Sequence, residues 1–156
     1  MIRIAVISDS HGRLPRSVAE QVQDCSHILH AGDVVSACDL DELSLYGNLY
    51  AVRGNCDTWN EGVRDLAGFL RFRIGGVSFY MLHDCRYAPR DLQGIDAVVF
   101  GHTHLYSEEW RDGRLWLNPG SCGRPRNGDP ATMAKITILD GKITEVRKII
   151  LEDEGN

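Results

Sequence analysis

Five apolar runs in this chain end the same way, and that repeated ending constrains the fold more than any other feature. Ile2 to Ile7 stops at Ser8-Asp9-Ser10-His11-Gly12, and His27 to His30 stops at Ala31-Gly32-Asp33. Leu49 to Val52 stops at Arg53-Gly54-Asn55-Cys56-Asp57, Val77 to Leu82 stops at His83, and Ile95 to Phe100 runs into Gly101-His102-Thr103-His104. Runs of this length, rich in β-branched residues, read as strands buried on both faces. Each then meets a side chain that can hold a metal. Ligands of α/β sheets gather outside the carboxyl ends of the strands. If these ends converge, seven N and O donors share one crevice: Asp9, His11, Asp33, Asn55, His83, His102 and His104. Asp9 and His11 are two apart, as are His102 and His104. In an extended segment such pairs face the same way, so each pair is expected to grip one ion from one side.

The rest of the chain fits around those runs. Leu14 to Val22 has helical spacing, with Pro15 suited to a first turn, and Asp39 to Tyr46 is a second candidate helix. Three pairs of strands flank hairpin dipeptides: Phe69–Ile74 and Val77–Leu82 about Gly75-Gly76, Tyr106–Arg111 and Leu115–Leu117 about Asp112-Gly113, and Ala134–Leu139 and Lys142–Ile149 about Asp140-Gly141. The expected architecture is an α/β sandwich, two packed sheets with helices outside. With 156 residues, no linker and no internal repeat, residues 1–156 are read as one domain, with 151–156 as a frayed acidic tail.

At this length the chain buries enough surface to fold without a structural metal, so any metal serves chemistry. The net charge of −5 argues against nucleic acid as the main partner, which calls for a basic face. It does not argue against a phosphate substrate, because bound cations reverse the local sign. The five cysteines form no secreted framework, and the first apolar run is too short for a signal peptide or membrane span. The expected compartment is the cytoplasm, with no membrane association.

The donor set of carboxylate, imidazole and amide suits Mn²⁺, Ni²⁺, Fe²⁺, Co²⁺ or Zn²⁺. Seven donors exceed what one tetrahedral ion needs, and two ions sharing a carboxylate fit them better. Taken singly, each residue has a plainer reading. His27 and His30 read as structural strand-end residues, Asp33 as a helix cap, and Asn55 as a turn residue. It is the coincidence at five loops that points to a metal centre.

In these residues the chain resembles the calcineurin-like metallophosphoesterase superfamily, whose pattern is Asp-x-His, Gly-Asp, Gly-Asn-His-Asp/Glu, a His, then Gly-His-x-His. It appears here in order as Asp9-Ser10-His11, Gly32-Asp33, Gly54-Asn55-Cys56-Asp57, His83 and Gly101-His102-Thr103-His104. The segment Leu117-Asn118-Pro119-Gly120-Ser121 with Arg124-Pro125-Arg126 is similar to a signature of the small bacterial and archaeal phosphodiesterase branch. The resemblance implies a four-layer αββα sandwich of two mixed sheets flanked by helices. It implies a first metal on Asp9, His11 and His104, a second on Asn55, His83 and His102, and Asp33 bridging both. The resemblance departs at two positions. Cys56 stands where many members have a His that assists the leaving group, a change associated with phosphodiester rather than monoester preference. Asp84 follows His83 where Gly is usual, either orienting that imidazole or adding negative charge.

The expected activity is hydrolysis of small-molecule phosphodiesters by a hydroxide bridging two cations ~3.5–4 Å apart. Asp33, Asn55 and Asp57 are the expected catalytic residues, and Asn55 and Arg126 the expected substrate contacts; Arg124 also stands near enough in sequence to be weighed, with solvated loop charges as the plainer reading of both arginines. A scaffold like the eukaryotic retromer subunit, similar to this family but with a degraded site, is the alternative. A phosphomonoesterase or nuclease of the same superfamily is a second. Pairing into a homodimer through exposed strands is also open.

Overall fold

The computed structural model describes residues 1–152. In chain order the strands are β1 Ile2–Ile7, β2 His27–His30, β3 Asn48–Ala51, β4 Phe69–Ile74, β5 Val77–Leu82, β6 Ala97–Val99, β7 Tyr106–Arg111, β8 Arg114–Pro119, β9 Thr132–Leu139 and β10 Lys142–Ile150. Helix α1 spans Arg16–Val22 and α2 spans Ala37–Ser44, and short 3-10 turns occupy Asn55–Asp57 and Cys85–Tyr87.

The strands form two five-stranded sheets, ordered β10-β9-β1-β2-β3 and β4-β5-β6-β8-β7. Both are mixed: β1, β2 and β3 run parallel while β9 and β10 join antiparallel, and β5, β6 and β8 run parallel between antiparallel β4 and β7. The hairpin dipeptides behave as their chemistry requires. Gly75 and Gly76 have φ of 56° and 88°, Asp112 and Gly113 52° and 77°, and Asp140 and Gly141 52° and 77°. Two successive positive φ values match the strand twist that two-residue hairpins need.

The inner faces meet in one apolar layer. Ile4, Val6, Leu29, Ala134 and Ile136 from the first sheet pack on Phe79, Met81, Val99, Leu115 and Leu117 from the second. Central strands such as β1 are apolar on both faces because helices cover the other side: Ala5, Ile7 and Ile28 pack outward on Val18, Val22 and Leu43 of α1 and α2. The two α-helices both lie on that side. The outer face of the second sheet, with Tyr80, Leu82, Val98 and Phe100, is covered by residues 84–96 through Cys85, Ala88, Leu92 and Ile95, so among the described residues the fourth layer holds a 3-10 turn rather than an α-helix.

The start of the segment expected to fray is packed instead. Leu151 is 4% exposed among the residues around α1 and donates its N–H to the Ala131 carbonyl at 2.9 Å. The remainder of that expectation, 153–156, lies outside the described residues. No helix among the described residues is long and apolar enough to cross a membrane.

Candidate metal centre

The carboxyl ends of β1, β2, β3, β5 and β6 open on one edge of the sandwich, and each chain turns there abruptly. Asp9, His11, Asp33, His102 and His104 all take left-handed backbone conformations, with φ of 54°, 50°, 55°, 76° and 63°. Non-glycine residues enter this region at a cost of about 1–3 kcal/mol each and gather at functional sites. The expected mechanism of convergence, alternation along an extended segment, is therefore replaced by tight turns. It holds for one pair only: His11 and Asp9 meet, whereas His102 and His104 diverge to opposite ends of the cluster.

Main-chain bonds lace the turns together. Asp9 N–H donates to the Gly32 carbonyl at 3.0 Å, His11 N–H to Asp33 at 2.9 Å, and Gly101 N–H to His83 at 2.9 Å. The Asn118-Pro119-Gly120-Ser121 segment works here as a brace. Asn118 Nδ2 donates to the Gly101 carbonyl and Thr103 Oγ1, and Ser121 Oγ donates to the Asp9 carbonyl at 2.7 Å. Two glycines are required sterically: a Cβ on Gly54 would overlap Asp33, and one on Gly101 would overlap Ser8 and Asp9.

At the centre, Asp9 Oδ1 lies 3.2 Å from His104 Nε2, 3.7 Å from His11 Nε2 and 3.8 Å from His83 Nε2. Asp33 Oδ2 lies 3.3 Å from His83 Nε2 and 3.5 Å from His11 Nε2. The Nε2 atoms of His11 and His104 are 3.3 Å apart. Beyond Asp33 the cluster continues outward: His102 Nδ1 stands 3.3 Å from His83 Nε2 and 3.2 Å from Asn55 Oδ1. Three overlapping groups thus place donor atoms within 4.8 Å of one another, Asp9-His11-His104, Asp9-Asp33-His83 and His11-Asp33-Cys56.

The protons show what this cluster lacks. His83 Nδ1 donates to the Ala31 carbonyl at 2.7 Å and His104 Nδ1 to the Arg124 carbonyl at 2.6 Å. A carbonyl only accepts, so Nδ1 carries the proton and the neutral ring presents an Nε2 lone pair to the carboxylates. Asp9 Oδ2 is satisfied by the Ser8 hydroxyl at 2.6 Å and His102 N–H at 3.0 Å, but its fully buried Oδ1 has no hydrogen-bond donor. An acceptor oxygen faced by lone pairs is a position for a cation, and the donors around it fit divalent ions of the Mn²⁺ to Zn²⁺ series. A protonated imidazole can take the place of that cation, and the groups shift as such pairing requires. Burial alone would raise Asp9, yet His104, His11, His83 and Ser8 hold it well below the carboxylate range. Burial alone would lower His83, but Asp33 and Asp9 outweigh it and push the imidazole above its ordinary value.

Other residues singled out in the sequence fall in distinct places. Asp57 is fully buried behind the turns, and its carboxylate accepts from Val35 N–H at 2.7 Å, Gly54 N–H at 2.8 Å and Val34 N–H at 3.3 Å. That places it as a brace for the Asp33 and Asn55 loops rather than a group facing substrate. Asp84 does not reach His83 Nδ1, which the Ala31 carbonyl occupies; it binds Arg86 at 2.7 Å and lies 3.7 Å from His102 Nε2. Cys56 donates its N–H to Asp33 Oδ1 at 2.8 Å. Arg124 touches the cluster through its carbonyl, and the Arg126 side chain is exposed. His30 is structural, accepting from Gly32 N–H at Nδ1 and bonded to Ser10 Oγ at 2.9 Å through Nε2. Ser8 and Ala31, which orient the donors, had no signal in spacing or residue type, whereas Ser121 fell within the Leu117–Ser121 segment already singled out.

Fold and donor set together define a metal-dependent phosphoric ester hydrolase. The domain profile of the calcineurin-like phosphoesterase superfamily matches residues 2–141, and the chain belongs to that superfamily. It is 30% identical to phosphodiesterase MJ0936 of Methanocaldococcus jannaschii over 170 aligned residues, covering 97% of this chain and 100% of that protein. Among solved structures it is similar to the phosphoesterase YfcE of Escherichia coli (TM-score 0.71, 23% identity, covering 97% of this chain and 100% of the other). It is also similar to Vps29 complexed with zinc from Entamoeba histolytica (TM-score 0.75, 18% identity, covering 95% and 97%).

Proposed function

We propose that this protein is a phosphodiesterase that works with two divalent cations, one on Asp9, His11 and His104, the other on Asn55, His83 and His102, with Asp33 between them. The observation that carries this reading is the buried, donorless Asp9 Oδ1 faced by the Nε2 atoms of His104 and His83, continuous through Asp33 with a second set of donors. When bound, such ions neutralise phosphate oxygens and acidify a water for in-line attack on phosphorus.

The chain's own groups tune that chemistry. Asp33 offers Oδ2 to both sets while Cys56 N–H fixes its Oδ1. Asn55 contributes a neutral oxygen and so preserves positive charge at the exposed end. Burial, together with Asp33, pushes the Cys56 thiol up, so it stays protonated and is a weak acid for a departing alkoxide. A site without a strong general acid favours good leaving groups, and in the resembled branch this Cys goes with diester rather than monoester preference. The relatives named phosphodiesterase, MJ0936 and Escherichia coli YfcE, support the same preference. All seven donor positions are intact, which separates this chain from a scaffold. A small-molecule diester and a cytoplasmic setting complete the reading.

Turnover of bis-(p-nitrophenyl) phosphate with Mn²⁺, Ni²⁺, Co²⁺, Fe²⁺ or Zn²⁺ tests it. Asp33→Ala and His102→Ala abolish activity, and Cys56→His raises hydrolysis of a monoester with a poor alkoxide leaving group, such as glycerol phosphate. Full activity in either alanine variant would refute the assignment.

A further inference from the structure

Beside the outer donor set lies a cavity of about 400 Å³, within the range of small-molecule sites. Its floor includes Asn55, His83 and His102, so it opens directly onto one end of the candidate metal centre. Asp9, His11 and His104, the other end, do not line it. A phosphodiester held at the centre has two ester arms, and this cavity is continuous with the position of one of them.

The walls indicate what that arm is. Leu82 gives an apolar patch, and the Tyr87 ring stands beside it, 77% exposed although it is a large aromatic. The Arg86 guanidinium lies 5.9 Å from the centre of that ring and is locked by Asp84, with Nη2 to Oδ2 at 2.7 Å and Nε to Oδ2 at 3.1 Å. Asp84 neutralises Arg86, so this side of the cavity is flat, rigid and close to uncharged. Arg53 also lines the cavity; it donates to the Arg64 carbonyl at 3.0 Å and is in no ion pair among the described residues. Its remaining donors are available to acceptor groups on a ligand. An exposed aromatic ring and an unpaired multidentate donor lining one cavity match a heteroaromatic base attached to a hydroxylated sugar better than a flexible alkyl arm.

We propose that this cavity is the specificity pocket of the enzyme, that it takes the nucleoside arm of a small nucleotide diester, and that Tyr87 stacks on the base while Arg53 bonds the sugar. The proposal rests on the diesterase reading for its substrate, but binding tests it without turnover. Titration calorimetry on the Mn²⁺-loaded protein compares adenosine 5′-monophosphate with ribose 5-phosphate, which differ only by the base. The nucleotide binds about tenfold or more tightly than the sugar phosphate, because base stacking on an aromatic side chain commonly contributes that much. Tyr87→Ala, a change at an exposed side chain, erases the difference. Equal affinity for the two probes, or a difference that survives Tyr87→Ala, overturns the proposal. Loss of bis-(p-nitrophenyl) phosphate turnover in the unmodified protein with the nucleotide preference intact overturns the diesterase reading instead.

Discussion

Asp57 is the residue whose removal reports most directly on how the centre is built. Its carboxylate is fully buried and accepts three main-chain N–H groups, from Val35 at 2.7 Å, Gly54 at 2.8 Å and Val34 at 3.3 Å. Asp57→Ala strands these donors. Each strong bond to a charged acceptor contributes about 1.5–3 kcal/mol, and the long third bond less, so the loss is about 3–6 kcal/mol. That is a large part of the ~5–15 kcal/mol that holds a typical domain folded. It also releases Val35, a β-branched residue held at φ 71°, which is free to relax and carry Asp33 with it. Urea unfolding of chelator-treated protein measures the first effect, and Mn²⁺ calorimetry the second, where loss of a group that positions ligands commonly costs about 10–100-fold in affinity. Asp57→Asn keeps one acceptor oxygen and falls between, which covers the case in which the alanine variant does not fold. At saturating Mn²⁺ the folded variant recovers most of its kcat. A stability loss under about 1 kcal/mol would refute the bracing role, and a kcat that stays abolished at saturating metal would return Asp57 to the catalytic group.

Two further outcomes follow from protonation. His30 is fully buried, and burial lowers it from 6.5 to about 4. The unfolded chain therefore binds its proton first as pH falls, and stability drops between pH 6.5 and about 4 by about 3 kcal/mol. His30→Gln starts lower but loses that part of the slope in urea melts at pH 7 and pH 4; parallel slopes would show that His30 titrates freely. His83, held above its ordinary value by Asp33 and Asp9, must be in its neutral, Nδ1-protonated form for its Nε2 to take a cation. Mn²⁺ or Zn²⁺ affinity then falls as pH drops through that raised value, approaching about tenfold per pH unit for each proton displaced. Ligand at about a hundredfold over Kd adds roughly 2.7 kcal/mol to stability, read as a rise in Tm that EDTA reverses. Affinity flat from pH 8 to pH 6, or no metal-dependent rise in Tm, would contradict the charge balance described above.

The parts of the fold legible in the sequence are those fixed by local chemistry. Apolar strands such as β1 and the dipeptides Gly75-Gly76, Asp112-Gly113 and Asp140-Gly141 each carry their own conformational requirement, and the structure obeys it. Leu151 was not legible, because its burial depends on α1 and Ala131, distant in sequence. The donors were legible as residue types at strand ends, but spacing alone misgrouped them, and only the family resemblance put His102 and His104 in different sets. His102 and His104 look like one gripping pair, yet left-handed turns send them to opposite ends of the cluster. The second layer of contacts was invisible for a different reason: main-chain carbonyls of Ala31 and Arg124 and the hydroxyl of Ser8 leave no mark on residue type or spacing.

The fold itself holds the donors in place. Here the imidazoles of His83 and His104 are each anchored by a main-chain carbonyl, one oxygen of each carboxylate is fixed by an N–H, and a Cβ on Gly54 or Gly101 would collide with the very aspartates it supports. Five donor residues sit in strained backbone conformations that only the surrounding turns can maintain. The strain, the donorless Asp9 Oδ1 and the crowding of two carboxylates are all borne by folding of the sandwich. Cation binding relieves the last two, so part of the energy of packing reappears as metal affinity.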